Sequence, residues 1–138
     1  MTNNFKPFLN QNYEEIKAEC LRENILFKDP KFPACNQSMY KFKKPKIDGV
    51  PVGFKWKRPK DFLAVLDPKF IVNSINPDNI YQGELGDCWF LSAVSDIVQN
   101  KEYCERIIPH DQSFSDDYAG IFRFHFWHWG EWVGGDFK

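Results

Sequence analysis

At Gly86-Asp87 the chain changes character, and that change constrains its fold more than any other feature: from Cys88 onward the apolar residues recur at helical spacing. Phe90, Val94 and Ile97 form one stripe and Leu91, Val94 and Val98 an adjacent one, the pattern of a buried helix. Asp87 suits its N-cap, Cys88 then falls in the first turn, and the helix is expected to fade around Asn100. A second short helix is expected from Glu102 to Ile107.

The flanking segments read differently. Tyr13, Ile16 and Cys20 lie at helical spacing between Tyr13 and Asn24, with Asn12 as N-cap and Glu15 three residues on, a variant of the capping box. From Asn24 to Pro59 prolines and glycines break any regular element and predict an extended segment that wraps over something else. Phe70-Ile71-Val72 reads as a short β-like piece, followed by a polar loop rich in oxygen donors up to Asn79. Ile121 to Trp129 alternates as a strand, with Phe122, Phe124 and Phe126 on one face and Ile121, Arg123, His125 and Trp127 on the other, ending at Gly130.

With 138 residues, 43% hydrophobic, the apolar mass suffices for one core, so one domain or one incomplete domain is expected. A net charge of −1 gives no electrostatic case for nucleic acid as a partner. The charge is unevenly spread, with eight basic residues between Lys41 and Lys60 against Asp48 alone. Pro45, Gly49, Pro51, Gly53 and Pro59 interrupt that stretch, which predicts a solvated loop rather than a binding face. No apolar run is long enough for a transmembrane segment, and Met1 to Pro7 lacks the apolar core of a signal peptide, so the expected compartment is the cytoplasm. In that compartment Cys20, Cys35, Cys88 and Cys104 are expected as thiols, and no CxxC pair suggests zinc.

Cys88 is the candidate nucleophile. A thiol that attacks a carbonyl works as the thiolate, and the unpaired N–H groups and dipole of a helix N-terminus favour that form. The oxyanion formed on attack needs donors, which a helix-start N–H and one side-chain amide can supply. Gln82, six residues upstream, is the obvious amide, and Gly83 and Gly86 permit a sharp return of the chain between the two. A free cysteine is most often a buried structural residue. The combination of Gln, two glycines and a helix start shifts the balance toward chemistry.

Gln82-Gly83-Glu84-Leu85-Gly86-Asp87-Cys88-Trp89-Phe90-Leu91 resembles the active-site cysteine motif of the calpain family, whose catalytic arrangement is similar to that of papain. Lys55-Trp56-Lys57-Arg58-Pro59, Asp67-Pro68-x-Phe70-Ile71-Val72, Ile108-Pro109-His110-x-Gln112-Ser113-Phe114, Tyr118-Ala119-Gly120-Ile121-Phe122 and Gly130-Glu131-Trp132-Val133 resemble calpain segments in the same order. Leu26-Phe27-x-Asp29-Pro30-x-Phe32-Pro33 resembles the lead-in to the core, and Asn10-Gln11-Asn12-Tyr13 resembles the opening of calpains without EF-hands.

The resemblance implies an α+β fold, the incomplete first subdomain of a papain-like cysteine protease core, with a central helix bearing the nucleophile and a short aromatic strand. Residues 1–25 would be a lead-in with a short helix and 26–138 a partial catalytic domain. It implies Cys88 as nucleophile, Gln82 as oxyanion-hole amide, and Gly86 and Trp89 beside the substrate cleft. The implied activity is calcium-dependent, limited intracellular proteolysis of protein substrates. The catalytic His and Asn would come from the remaining catalytic subdomain, so this chain alone is expected to be inactive. His110, His125 and His128 receive no catalytic role. Because Gly134 to Lys138 diverges from the family, the sequence reads as a truncated product, with an inactive isoform or pseudo-protease acting as a binding or regulatory protein as the alternative. The family's first calcium loop corresponds to Val72, Ser74 and Asn79, with Asn79 where an Asp is usual and Ser74 where a Gly is usual, which lowers the expected affinity. A thiol oxidoreductase is disfavoured, since Cys104 is sixteen residues from Cys88 with no CxxC context.

Overall fold

The computed structural model describes residues 5–39, 46–47, 50–51, 55–61, 67–71, 80–83 and 85–137. Within them the elements are β1 (Lys6–Pro7), α1 (Tyr13–Glu23), β2 (Lys46–Ile47), β3 (Val50–Pro51), α2 (Cys88–Val98), α3 (Lys101–Ile107), β4 (Phe122–His128) and β5 (Glu131–Phe137). Helices and a small mixed sheet make these residues α+β. The sheet has the order β1-β5-β4, with β1 parallel and β4 antiparallel to β5.

Helix α1 forms for the reasons its sequence gives. The Asn12 side chain accepts from the N–H groups of Glu14 and Glu15, which satisfies two of the donors a helix start leaves open. Asn24 ends it in the left-handed conformation (φ 52°), and the Ile25 N–H returns to the Cys20 carbonyl at 2.9 Å. One stripe of α1 faces inward: Cys20 is buried with Phe27, Ala119 and Ile121, and Tyr13 and Ile16 pack against them.

The extended segment after α1 does wrap over something. The Phe27 N–H donates to the Ala119 carbonyl at 2.8 Å, and Arg58 then binds both plies, donating from Nη2 to the Phe27 carbonyl at 2.6 Å and from Nη1 to the Gly120 carbonyl at 3.3 Å. Arg58 therefore departs from the solvated-loop expectation for its basic stretch. Two unsatisfied carbonyls at a packed junction need a forked donor, and the guanidinium supplies one. Lys46–Ile47 and Val50–Pro51 also form a two-residue antiparallel ladder inside that stretch, which the prolines and glycines did not predict. Gly120 has φ 78°, and a Cβ there would lie 2.8 Å from Arg58 Nη1, 3.0 Å from Leu26 Cβ and 3.1 Å from the Phe27 nitrogen.

Strand β4 occurs as expected, with Phe122 and Phe124 both against Phe70 (centroids 4.4 and 5.9 Å) on one face. Phe70 and Ile71 form a bend rather than a strand. Strand β5 was not anticipated, because Gly134-Gly135 reads as a breaker. The signal lay in Trp129-Gly130, a two-residue loop with both φ angles positive (51° and 84°), as a type I′ hairpin turn requires. On the other face of β4 Arg123 bonds to Glu14 of α1 and, at 2.6 Å, to Asp111, and lies over the Tyr13 ring at 5.0 Å. His125 lies flat on Phe5 (centroids 3.6 Å, 9° between planes) and bonds through Nδ1 to the Arg106 carbonyl at 2.9 Å. A carbonyl can only accept, so Nδ1 carries the proton.

Two consequences are measurable. Gly120→Ala should lower unfolding stability by about 1–3 kcal/mol through forced positive φ and the clash with Arg58. Gly83→Ala, where a Cβ meets nothing within 4 Å, should stay within about 0.5 kcal/mol in the same urea titrations. Burial first, and the Arg123 charge after it, push the His125 imidazole below its ordinary value of 6.5, against the opposing pull of the Arg106 carbonyl and Asp111. The fold therefore holds the neutral ring, and the stability it contributes is present above about pH 6.5 and lost as pH falls from there through the lowered folded value. The urea midpoint should drop between pH 7.5 and pH 5.5, and His125→Gln should flatten that drop.

Candidate active site

Cys88 is the first residue of α2 and is exposed. Its helix begins at the predicted place, and the Asp87 carbonyl accepts from the N–H groups of Phe90 and Leu91 at 2.9 and 3.1 Å. The cap itself differs from expectation. Asp87 occupies the N-cap position, yet its side chain accepts no bond from the helix, and its Oδ1 is buried without a partner. At φ −112° and ψ 21° its backbone is outside the extended conformation that aims a capping side chain at the first turn. The N–H groups of Cys88 and Trp89 thus remain open donors among the described residues.

Gln82 Nε2 donates to the Leu85 carbonyl at 2.9 Å. A primary amide carries two N–H groups, so this bond fixes the side chain and leaves the second for another acceptor. The chain between Gln82 and Cys88 bends at Leu85-Gly86. Neither Gly83 nor Gly86 has a positive φ, so the return does not require glycine's conformational freedom, contrary to expectation. A Cβ at Gly86 would meet no atom within 4 Å, so contacts in this structure do not demand glycine there either. Trp89 beside Cys88 is 74% exposed, with its ring edge-on to Phe90 at 5.8 Å.

Helix α2 was expected to be buried and is not. Val98 alone of its residues is buried; Leu91, Val94 and Ile97 are half-buried, and Phe90 and Trp89 stand in the open. The stripe through Leu91, Val94 and Val98 is the inner one. Among the described elements α3 is the one packed on it, and one short helix cannot cover an apolar stripe on two sides. A cavity of about 830 Å³ lies elsewhere, among Trp56, Phe70, Phe114, Tyr118, Phe122 and Phe124, and takes no residue from the Cys88 neighbourhood. Chemistry, rather than cavity size, therefore locates the site.

No histidine serves Cys88 in this structure. His125 is bonded to Arg106 and stacked on Phe5, His128 is exposed and edge-on to Trp129, and His110 sits in an exposed bend. Among the described residues no three His, Cys, Asp or Glu side chains converge on a metal position. Val72, Ser74 and Asn79 lie outside the described residues. No helix is long and apolar enough to cross a membrane among the described residues.

All four cysteines are free. Burial, with the Glu19 and Glu23 charges, raises the Cys20 thiol above its ordinary value, and burial with Glu105 raises that of Cys104. In iodoacetamide labelling of the folded chain at neutral pH, Cys88 should react first and Cys35 next, with Cys20 and Cys104 modified only after urea is added. Peptide mapping by mass spectrometry checks the order.

The calpain family cysteine protease model matches residues 27–134. The calpain-1 catalytic subunit of Gallus gallus is 44% identical over 131 residues, which is 95% of this chain and 18% of that protein. The calpain-2 catalytic subunit of Mus musculus is 46% identical over 127 residues, 91% of this chain and 18% of that protein. This chain therefore spans about a fifth of the length of the curated relatives it matches. The motif around Cys88 falls inside the matched region, and the chain belongs to the calpain family of cysteine proteases.

Proposed function

We propose that this chain supplies the nucleophile-bearing part of a papain-like cleft that hydrolyses peptide bonds in protein substrates in the cytoplasm. The observation that carries this reading is an exposed cysteine opening an apolar helix, with unpaired N–H groups at the helix start and a tethered amide upstream. In the reaction the Cys88 sulfur, its proton taken by a histidine, attacks the carbonyl carbon of the scissile bond. The carbonyl oxygen becomes an oxyanion that the Cys88 N–H and the free N–H of Gln82 stabilise. The C–N bond breaks, the histidine gives its proton to the leaving amine, and a thioester remains on Cys88. Water, deprotonated by the same histidine, attacks the thioester, releasing the acid and restoring the thiol. The histidine and its orienting asparagine belong to the remaining catalytic subdomain, whose approach would also cover Trp89 and Phe90. Calcium enters this reading as the family's regulator, and no step above passes through the ion.

The division of labour can be tested directly. The chain alone should not cleave casein with or without calcium, and turnover by it that Cys88→Ala abolishes would sink the idea. Mixed with a calpain's second subdomain, Cys88 should be labelled selectively by an epoxysuccinyl inhibitor. In the complete protease Gln82→Ala should lower kcat/KM by about 10²–10³. Absence of selective labelling in the mixture would favour the alternative, an inactive chain that binds other proteins through the open face of α2.

A further inference from the structure

Strand β4 is the outermost strand of its sheet, and its pairing with β5 dictates which backbone groups face outward. Residues flanking a two-residue turn form a hydrogen-bonded pair, and such pairs alternate with non-bonded ones along an antiparallel ladder. With His128 opposite Glu131 and Phe126 opposite Val133, the even-numbered residues of β4 bond to β5. Arg123, His125 and Trp127 turn their N–H and C=O groups to the free edge. Gln112 bears this out at Arg123, where its Oε1 accepts from the Arg123 N–H at 2.6 Å and its Nε2 donates to the Arg123 carbonyl at 3.0 Å. One side chain thus imitates a neighbouring strand for one residue. The edge groups of His125 and Trp127 have no partner among the described residues.

We propose that this edge pairs with the same edge of a second copy of the chain, as an antiparallel two-fold dimer with Phe126 at the axis. About that axis His125 faces Trp127 of the second copy, and the reverse, so four N–H···O=C bonds use every open edge group and leave none over. Gln112 sets the limit of the pairing, because Arg123 is already satisfied. Residue 123 of one copy faces the Trp129-Gly130 turn of the other, and there the Gln112 amide, already seated on Arg123, ends the ladder. Trp129 is 90% exposed and held at φ 51°, an unusual backbone for a bulky side chain, and Trp127 is 61% exposed. No like charges meet across the axis, since His125 faces Trp127 and His128 faces Phe124. The edge also lacks the Lys, Pro or bulge with which sheet edges are usually blunted.

Sedimentation velocity on the chain from about 1 μM to about 1 mM tests the pairing. A monomer–dimer equilibrium is expected, with amide exchange at His125 and Trp127 slowing as concentration rises. Trp127→Pro removes an outward N–H without touching a bond to β5 and should weaken the dimer by about tenfold or more, since the two-fold counts the loss twice. Trp127→Ala leaves every strand group in place, removes the ring that would lie against His125 of the second copy and should weaken the dimer as well, which keeps the test decisive if the proline variant does not fold. A monomer with fast exchange at both amides throughout the series overturns the proposal. So does a dimer indifferent to both variants, and so does a longer form of the protein that is monomeric with both amides protected, where another segment of the same chain would hold the edge.

Discussion

The guanidinium of Arg58 is the junction on which the described architecture depends. It binds the carbonyls of Phe27 and Gly120, two positions far apart in sequence, at the point where the chain leaving α1 lies across the entry to β4. Backbone carbonyls at a packed junction are costly if left unbonded, and a single planar fork serves both at once. The arrangement has a further requirement. Gly120 must have no side chain, because the space a Cβ would need is taken by Arg58 itself. The buried cluster of Cys20, Phe27, Ala119 and Ile121 forms directly beside this junction, so α1 is held by the same stitch that starts the sheet.

Arg123 repeats the logic on the far side of β4. Its guanidinium joins Glu14 at the first turn of α1 to Asp111 in the loop before the strand, and its side chain is only 24% exposed while both carboxylates are largely in solvent. Such a pair contributes through geometry more than through raw charge, because solvent screens the exposed partners. It also lies over the Tyr13 ring, 5.0 Å from the centroid, on that face. The lead-in helix is thus tied at its start by Arg123 and at its end by the Phe27 crossing.

Much of this was legible in the sequence, and the failures have physical causes. The caps of α1, the span of α2, the position of α3 and the alternation of β4 follow from local rules, since side chains within four residues settle them. Cys88 and Gln82 stood out for the same reason. Arg58 and Arg123 did not, because their partners lie 31 and 62 residues away for the first and 12 and 109 for the second, beyond the reach of local rules. Strand β5 was hidden by Gly134 and Gly135, which weaken a strand by themselves but pair here with His125 and Phe124 of β4. The exposure of α2 was misjudged because periodicity reports which face is apolar and says nothing of what covers it.

The same distinction explains why the apolar groups of this chain fall into two kinds. Phe122 and Phe124 meet Phe70 and Phe114 on a face the described chain covers, and they stabilise the fold. Trp89, Phe90, Trp127 and Trp129 stabilise nothing comparable while they stand in water. A monomer rarely keeps such residues together without a use for them. Their placement is also not random: one group flanks Cys88 at the start of α2, and the other runs along a strand edge whose hydrogen bonds are unused among the described residues. At the first, an apolar surround would exclude water from the Cys88 sulfur, and in the proposed reaction the oxyanion donors gain strength from that. At the second, the proposed pairing would cover the rings and exchange the backbone's water for strand bonds in a single event.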